Sequence, residues 1–355
     1  MLLLNIKMNV TIIKKIATPE EIIRAHPLSL AGQGQIINDR EEIKQILSGQ
    51  DKRFLVIVGP CSAWPSEAVL EYARRLKKLN DEIKDGVKLV MRVYIQKPRT
   101  AKGWTGPVNQ PNPYQPADIS EGIKYARNLM IKIIEMGLPI ADEALFTHNA
   151  KGFIELLSWV AIGARSVEDQ EHRVFASAVG CPVGMKNSTS GSIEIGVNGI
   201  VAAQHPHIAV FHGYQVETKG NPYAHLVLRG GSSGPNYSVE HLLSAKELME
   251  KNAVKNSAII IDASHDNCKV DGKKDFRRQS QVVRETIGNL KKQPELKNMV
   301  KGFMLESFIK GGNQNHESLT PETVDRSGLS ITDPCLSWEE TEQILKELRD
   351  YVYER

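Results

Sequence analysis

The sequence has few cysteines, few aromatic residues and no excess of charge of either sign. Its 355 residues contain four cysteines, Cys61, Cys181, Cys268 and Cys335, and no Cys-x-x-Cys pair. Such sparse cysteines exclude a disulfide framework and a zinc-finger spacing. The 45 basic residues nearly balance the 42 acidic ones, for a net charge of +3. Proteins that bind nucleic acid or membrane surfaces usually have a strong basic excess, so we expect neither partner.

Long apolar runs are missing as well. No run approaches the roughly 18 residues that a membrane-spanning helix needs. The opening segment 1–4 is too short for a secretory apolar region, because Lys7 interrupts it before any small-residue cleavage pattern. The sequence therefore predicts a protein that neither spans a membrane nor is exported. Together with the unpaired cysteines, this favours a reducing, cytoplasmic location.

What the chain does contain is a repeated alternation of short apolar runs and longer segments with helical period. The apolar runs are 54–58, 88–93, 138–141, 160–164, 182–185, 225–228, 258–261 and 302–305. The segments with helical period are 66–83, 119–136, 149–159, 167–179, 193–204, 239–252, 277–290 and 338–351. Short continuous apolar strands are typical of a parallel sheet buried on both faces. Eight strand-helix units therefore predict an α/β fold of the (β/α)8 TIM-barrel type, with a doubly wound open sheet as the alternative.

Three regions do not fit the repeating unit. Residues 96–115 are dense in Pro, Gly and Asn and predict a long functional loop. Residues 207–217 predict a β-hairpin inserted outside the barrel. The first 53 residues precede the first strand, so we divide the chain into an N-terminal extension over 1–53, with an oligomeric or regulatory role, and a catalytic barrel over 54–355.

Residues that bind anions or take part in chemistry follow the ends of the predicted strands. In chain order they are Cys61, Arg92, Glu143, Arg165, Lys186, Arg229, His265 and Glu306. A barrel brings all eight strand ends to one rim, whereas an open sheet spreads them across its width. The barrel interpretation therefore assembles them into a single site.

Four residues at this rim form a plausible divalent-metal site. Cys61, His265, Glu306 and Asp333 offer one thiol, one imidazole and two carboxylates. That mixed set suits Mn²⁺, Fe²⁺, Co²⁺ or Zn²⁺. Because a cysteine after a buried strand is more often a packed apolar residue, the metal interpretation depends on the convergence of all four.

A set of cations at the same rim indicates anionic ligands. The set is Arg92, Lys97, Arg99, Arg165, Lys186 and Arg229. Several lie in or at the end of apolar runs, where a buried charge needs a partner. Glu143 and the metal carboxylates are too few to neutralise them, so we expect phosphate or carboxylate groups on the substrates. Two anionic substrates account for six cations better than one. The Gly-rich run 229–236 fits either a phosphate-binding loop or a plain turn.

Nine short segments occur in order between Phe54 and Trp338. They are Gly59-Pro60-Cys61-Ser62, Met91-Arg92-Val93-Tyr94, Lys97-Pro98-Arg99-Thr100, Ile162-Gly163-Ala164-Arg165, Pro182-Val183-Gly184-Met185-Lys186-Asn187, Leu228-Arg229-Gly230-Gly231, Asp262-Ala263-Ser264-His265, Met304-Leu305-Glu306-Ser307 and Ser330-Ile331-Thr332-Asp333-Pro334-Cys335. Together they resemble the motifs of class I 3-deoxy-7-phosphoheptulonate (DAHP) synthases, in the larger microbial form that has an N-terminal extension and an extra hairpin. The resemblance implies a metal-dependent barrel that condenses phosphoenolpyruvate with erythrose 4-phosphate and releases phosphate, the first step of the shikimate pathway to aromatic compounds.

The resemblance also implies a role for each matching position. Cys61, His265, Glu306 and Asp333 are expected to hold the metal. The phosphate and carboxylate of phosphoenolpyruvate are assigned to Arg92, Lys97, Ala164, Arg165, Lys186 and Arg229, while Arg99 and Thr100 are assigned to the phosphate of the aldose. The catalytic set is then Lys97, Cys61, His265 and Glu143, with Lys97 protonating or hydrogen-bonding the developing alkoxide.

Two alternatives and two further expectations remain. The related 3-deoxy-manno-octulosonate 8-phosphate synthases use arabinose 5-phosphate, although the Lys97–Thr100 motif favours erythrose 4-phosphate. A non-catalytic barrel that senses anions would have lost its metal ligands, yet all four are present.

Segments 144–149 and 207–223 differ from those of amino-acid-inhibited members, so we expect insensitivity to Phe, Tyr and Trp. The resemblance and the N-terminal extension predict a homodimer or homotetramer, with packing of the extension on its own barrel as the alternative.

Overall fold

The computed structural model describes residues 9–99, 102–145, 151–211 and 213–353. Within these ranges the helices are α1 (Pro19–Ala25), α2 (Leu30–Ser48), α3 (Ser66–Ile83), α4 (Ile119–Glu135), α5 (Gln170–Ala178), α6 (Ile193–Gln204), α7 (Val239–Lys251), α8 (Arg278–Lys292) and α9 (Trp338–Tyr353). The strands are β1 (Phe54–Gly59), β2 (Val87–Arg92), β3 (Ile140–Ala144), β4 (Trp159–Ile162), β5 (Val183–Lys186), β6 (Ile208–Phe211), β7 (Tyr214–Glu217), β8 (Ala224–Leu228), β9 (Ile259–Asp262), β10 (Lys269–Val270), β11 (Lys273–Lys274) and β12 (Val300–Glu306).

Eight strands close into a parallel barrel in the order β1, β12, β9, β8, β5, β4, β3, β2. The first strand pairs with both its sequence neighbour and the last strand, since Ile57 lies opposite Val90 on one side and Met304 on the other. An open sheet would leave two unpaired edges, so the barrel prediction is confirmed and the doubly wound alternative is wrong.

The helices around the barrel bury one apolar stripe each. In α3, for example, Val69, Tyr72, Leu76 and Leu79 recur at helical spacing and are buried against the sheet. Charged residues such as Arg74 lie on the opposite, exposed face. Within the described ranges, no helix has the length and the apolar character that crossing a membrane requires.

The extension before the barrel begins with a helix that its sequence defines closely. Thr18 precedes α1 and accepts a hydrogen bond from the Glu21 backbone N–H, while the Glu21 side chain accepts one from the Thr18 N–H. This capping box, with Pro19 at the first helical position, fixes where the helix starts.

The second helix of the extension closes the lower, N-terminal end of the barrel. Ile43, Ile46 and Leu47 of α2 are fully buried in one cluster with inward-facing barrel residues such as Leu55 and Trp159. At the same end the Lys88 ammonium of β2 reaches Asp39 of α2, with an Nζ to Oδ1 distance of 2.6 Å. The extension therefore packs on its own barrel.

One predicted helix is absent. In the described part of 149–159 the chain forms the short 3-10 turn Ile154–Leu156, and Trp159 already belongs to β4. Arg40 of α2 donates to the Leu157 and Ile154 carbonyls at 2.8 and 3.0 Å. Arg40 thus binds carbonyl groups of the segment itself, and only a few residues remain before the strand begins. An α-helix therefore does not form there.

The inserted hairpin is present as predicted. β6 and β7 pair antiparallel with Phe211 opposite Tyr214. Its outer face leaves Ile208, Val210 and Tyr214 largely exposed.

Candidate active site

The carboxyl ends of the barrel strands surround a cavity of about 440 Å³. Its lining residues are Cys61, Lys97, Pro98, Arg99, Lys102, Glu143, Ala164, Arg165, Lys186, Arg229, His265, Lys274, Thr332 and Asp333. The structure thus brings together most of the residues that the sequence assigned to the site. Thr100 lies outside the described residues.

Three of the four expected metal ligands form a compact group. Cys61 follows β1, Glu306 is the last residue of β12, and Asp333 comes from the segment that follows. Their thiol and carboxylate ligand atoms all lie within 4.8 Å of one another. One soft and two hard donors at this separation fit a first-row divalent ion.

His265 lines the same cavity but stands outside that group of three. Its Nδ1 lies 2.6 Å from the Ser264 hydroxyl and 3.1 Å from Asp262 Oδ2. The His265 backbone adopts a φ of +56°, a left-handed conformation that is uncommon for a residue with a side chain. Burial is the main cause that lowers the pKa of His265, which favours the neutral imidazole that a metal ligand requires.

The charges around the three-residue group favour two carboxylates and a neutral thiol. Burial would raise the pKa of Glu306, but His265 and Arg92 outweigh it and the net shift is downward. Burial and the neighbouring Glu306 raise the pKa of the Cys61 thiol. A cation bound here would reverse the preference of the thiol, because a coordinated cysteine is held as thiolate.

Arg92 lies beneath the cavity, where only 1% of its side chain is exposed. Its Nη2 donates to Glu306 Oε1 at 3.1 Å, and its guanidinium carbon lies 3.9 Å from the centre of the Tyr94 ring. Arg92 Nη1 and the Tyr94 hydroxyl are buried and find no hydrogen-bond partner within the described ranges. Buried donors in this state are available to a ligand or an ordered water.

Lys97 reaches the cavity from the start of the long loop predicted over 96–115. Its Nζ donates to the Cys61 carbonyl at 2.7 Å. Burial would lower the pKa of Lys97, but Cys61 and Glu306 outweigh it and the net shift is upward. The loop is fixed by a hydrogen bond from the Lys97 N–H to the Thr105 carbonyl at 3.0 Å, and by one from Trp104 Nε1 to the Gln110 carbonyl at 2.8 Å.

Two further cations are paired with acidic residues behind the cavity wall. Lys186 ends β5 and donates to Asp262 Oδ2 at 3.0 Å, with both side chains buried. Arg229 follows β8 and pairs with Asp266. The turn after it needs glycine at position 230, where φ is +72° and a Cβ would lie 2.7 Å from the Asn267 nitrogen.

Glu143, near the end of β3, has its carboxylate against Gly163. A Cβ at Gly163 would lie 2.2 Å from Glu143 Oε1, so a side chain there would displace the carboxylate. Ala164 and the exposed Arg165 continue the cavity wall from Gly163. Arg99 is exposed at the mouth.

Comparisons with known proteins agree with this geometry. The sequence matches the family described as the DAHP synthetase I family over residues 29–346. The chain belongs to that family. A Salmonella typhimurium relative named "Phospho-2-dehydro-3-deoxyheptonate aldolase, Tyr-sensitive" is 42% identical over 336 residues, which cover 93% of this chain and 91% of the relative. A Corynebacterium glutamicum phospho-2-dehydro-3-deoxyheptonate aldolase is 38% identical over 352 residues, or 96% and 93% of the two chains.

The fold of this DAHP synthetase I family member is also found in a solved relative. The structure of phospho-2-dehydro-3-deoxyheptonate aldolase from Francisella tularensis SCHU S4 superposes with a TM-score of 0.89 at 36% identity, covering 97% of this chain and 99% of that one. The resemblance inferred from the nine motifs is therefore confirmed.

Sequence reasoning missed several residues that the family fold brings to the site. Asp262 and Asp266 pair with site cations, and both are close enough to His265 in sequence for a search of that motif to have found them. Lys102 and Lys274 line the cavity, but each lies in a polar stretch that looks like an ordinary solvated surface. For Lys274, burial would lower the pKa, but Asp333 and Glu306 outweigh it and the net shift is upward.

Proposed function

We propose that the chain condenses phosphoenolpyruvate with erythrose 4-phosphate and water to give DAHP and inorganic phosphate, the first step of the shikimate pathway. The observation that carries the proposal is the charge of the cavity. Its cationic lining residues are Lys97, Arg99, Lys102, Arg165, Lys186, Arg229 and Lys274, whereas its acidic ones are Glu143 and Asp333. An excess of cations in one cavity suits two small phosphorylated substrates.

We divide the cations between the two substrates as the family resemblance implies. Arg165, Lys186 and Arg229 line the cavity with Ala164, and the buried Arg92 lies beneath it; we assign them to the phosphate and carboxylate of phosphoenolpyruvate. Arg99 at the mouth, with Thr100, is assigned to the phosphate of the aldose. Held in this way, C3 of phosphoenolpyruvate and the aldehyde carbon of the aldose face each other, which removes much of the entropic barrier.

Lys97 is the proton donor in this proposal. C3 of phosphoenolpyruvate bonds to the aldehyde carbon, and the Lys97 ammonium donates to the oxygen that gains charge. Its contact with the Cys61 carbonyl places the ammonium beside the three-residue group. Water then adds at C2, and the resulting phosphohemiketal releases phosphate. Glu143 lies across the cavity, where its carboxylate can hold a proton of that water.

Cys61, Glu306 and Asp333, with His265 beside them, would hold the divalent ion. When bound, it would supply Lewis-acid polarisation of the aldehyde. Mn²⁺, Fe²⁺, Co²⁺ and Zn²⁺ all suit the donor set, and metal availability decides between them. We further propose a cytoplasmic location and a homodimer or homotetramer.

Phosphate release tests the proposed reaction. Purified protein is incubated with phosphoenolpyruvate and either erythrose 4-phosphate or arabinose 5-phosphate, before and after chelation. We expect release with erythrose 4-phosphate only, lost on chelation and restored by Mn²⁺. Faster release with arabinose 5-phosphate would favour the related octulosonate synthase, and no release with either aldose would favour a non-catalytic barrel.

Insensitivity to Phe, Tyr and Trp stays a prediction. Most of segment 144–149 lies outside the described residues. The same assay with each amino acid tests it, and strong inhibition by any of the three would contradict it.

A further inference from the structure

A small hairpin places one lysine at the active-site cavity and its neighbour on the opposite face. β10 and β11 pair through Val270 and Lys273, and the tight turn uses Asp271 and Gly272 at φ of +48° and +75°. Successive residues of a strand point to opposite faces. Both lysines are exposed to some degree, but only Lys274 lines the cavity, and Lys273 projects from the opposite face of the hairpin.

Lys274 makes its contact with one of the three candidate metal ligands. Its Nζ donates to Asp333 Oδ2 at 2.7 Å, and the two side chains are 31% and 43% exposed. Glu306 also lies close enough for its charge to act on the ammonium. The group that attracts Lys274 is thus the same group that would attract a divalent ion.

The hairpin holds Lys274 near Asp333 through its own backbone. The Asp275 N–H donates to the Cys268 carbonyl at 3.0 Å where the hairpin closes. Lys269, which lies directly opposite Lys274 in the hairpin, pairs with Asp266, which also binds Arg229. These contacts anchor the open end of the hairpin, while the partly exposed Lys274 side chain keeps a flexible four-carbon stem.

We propose that Lys274 is a positioning residue that acts as the counter-cation of the metal-free site and competes with the divalent ion for Asp333. The inference rests on the proposed function, since it needs Asp333 to be a metal ligand. An ammonium bonded to a carboxylate stabilises the metal-free state. The same ammonium repels a nearby dication, so it weakens metal binding. Lys274 therefore sets how tightly the site holds its ion and makes a metal-depleted protein more stable.

Lys274→Met tests this with metal binding rather than activity. We expect the variant to bind Mn²⁺ about three to ten times more tightly than the wild type, measured by competition with a chromogenic chelator, because one partly screened positive charge is removed. Lys274→Arg, which keeps the charge, should stay close to the wild type. Lys273→Met is the matched control, because it removes the same charge from the opposite face of the same hairpin.

Thermal unfolding gives a second readout, because a general destabilisation would lower the melting temperatures of the chelated and the Mn²⁺-saturated protein equally. In Lys274→Met the melting temperature of the chelated protein should fall, and the gap between the chelated and Mn²⁺-saturated proteins should widen. Weaker Mn²⁺ binding by Lys274→Met would overturn the proposal, since Lys274 would then help to orient Asp333 for the metal. An equal effect of Lys273→Met would overturn it too.

Measurements on the wild type distinguish a failure of this inference from a failure of the proposed function. If the wild type binds Mn²⁺ and releases phosphate but Lys274→Met binds Mn²⁺ with the same affinity, only the proposed role of Lys274 is wrong. If the wild type neither binds Mn²⁺ nor releases phosphate, both the proposed function and the role of Lys274 fall.

Discussion

His225 lies in the barrel with a partner on each ring nitrogen. Trp159 Nε1 donates to its Nε2 at 3.2 Å, and its Nδ1 lies 2.9 Å from the Tyr223 carbonyl. Both contacts are satisfied only when Nδ1 carries the proton and Nε2 does not. A second proton would place two donors face to face in a buried position. Burial accordingly lowers the pKa of His225 to about 4 from an ordinary 6.5.

The lowered pKa of His225 predicts that the protein loses stability in mild acid. The unfolded chain takes up a proton at His225 as the pH falls below 6.5, but the folded chain does not do so until about 4. Stability is therefore lost as the pH falls between these values, by at most about 3 kcal/mol. We expect the urea midpoint to drop more between pH 7 and pH 5 in the wild type than in His225→Gln, which keeps an acceptor for Trp159 without titrating. Parallel curves would contradict the assignment.

Lys97 and Cys61 should be essential for turnover but not for folding. The loss of a positioned proton donor costs about 10²- to 10⁴-fold in rate, so Lys97→Ala should lower kcat by that factor. Cys61→Ala should abolish metal-dependent turnover. Circular dichroism should show an unchanged melting transition within a few degrees for both. Lys251→Ala, on the exposed end of α7, is the control that should leave kcat unaltered. Near-normal rates in either site variant would refute the assignment.

At the scale of elements, α2 is joined to the barrel by a buried ion pair as well as by apolar contacts. Lys88 and Asp39 are nearly fully buried, and Glu42 lies 3.1 Å from the same ammonium. Desolvation by burial raises the pKa of Asp39 despite the attraction of Lys88. The pair therefore specifies how α2 meets the barrel more than it stabilises the fold.

A double-mutant comparison separates specificity from stability here. Lys88→Met leaves the Asp39 carboxylate buried without its ammonium and should cost about 3–5 kcal/mol of unfolding free energy. Adding Asp39→Leu removes the uncompensated charge and should recover most of that loss. Urea denaturation of the two variants and the wild type measures both effects. A double variant as unstable as Lys88→Met would contradict this account.

The long loop that carries Lys97 is packed against α4 at a glycine. A Cβ at Gly122 would lie 2.0 Å from the Val108 carbonyl oxygen. Gly122→Ala should therefore displace the loop, lower the melting temperature and reduce kcat/KM. Gly288→Ala in α8 is the matched control, since its Cβ would meet nothing within 4 Å in the described part of the chain. It should gain about 0.5–1 kcal/mol from helix propensity. Equal behaviour of the two variants would refute the packing argument.

The sequence predicted the elements whose signal is local. The barrel strands are continuous apolar runs, and strand ends must converge on one rim, so the cavity residues followed from the fold. The closure by α2 was not predictable, because Ile43, Ile46 and Leu47 form only a short apolar stripe and their partner surface is assembled from seven strands spread along the chain. The helix expected over 149–159 did not form for a similar reason, since Arg40 of α2 binds that segment from a distant part of the sequence. Lys274 was hidden because only the folded hairpin distinguishes it from Lys273.

At the scale of the whole molecule, a net charge of +3 coexists with a strongly cationic cavity. Negative residues elsewhere on the surface cancel the cavity charge in the sum but not in the local field. Such a field raises the local concentration of anionic substrates without making the protein a general polyanion binder.

Added salt should therefore weaken the capture of the anionic substrates. Raising the ionic strength from about 0.1 M to about 1 M shortens the Debye length from about 10 to 3 Å. We expect the KM of both substrates to rise about threefold or more with a smaller change in kcat. A sucrose series of equal osmolality controls for water activity. KM values that do not respond to salt would show that the cations act only at contact distance.

The closed lower end of the barrel also sets an order of events during synthesis. The cluster that buries Leu47 of α2 includes Met304 of the last strand, and 304 minus 47 is 257 residues. At about 5–20 residues per second, the ribosome needs roughly 13–50 s to make that stretch. Throughout this time the apolar face of α2 has no completed surface to cover it. The nascent chain therefore presents this helix to chaperones for most of its own translation.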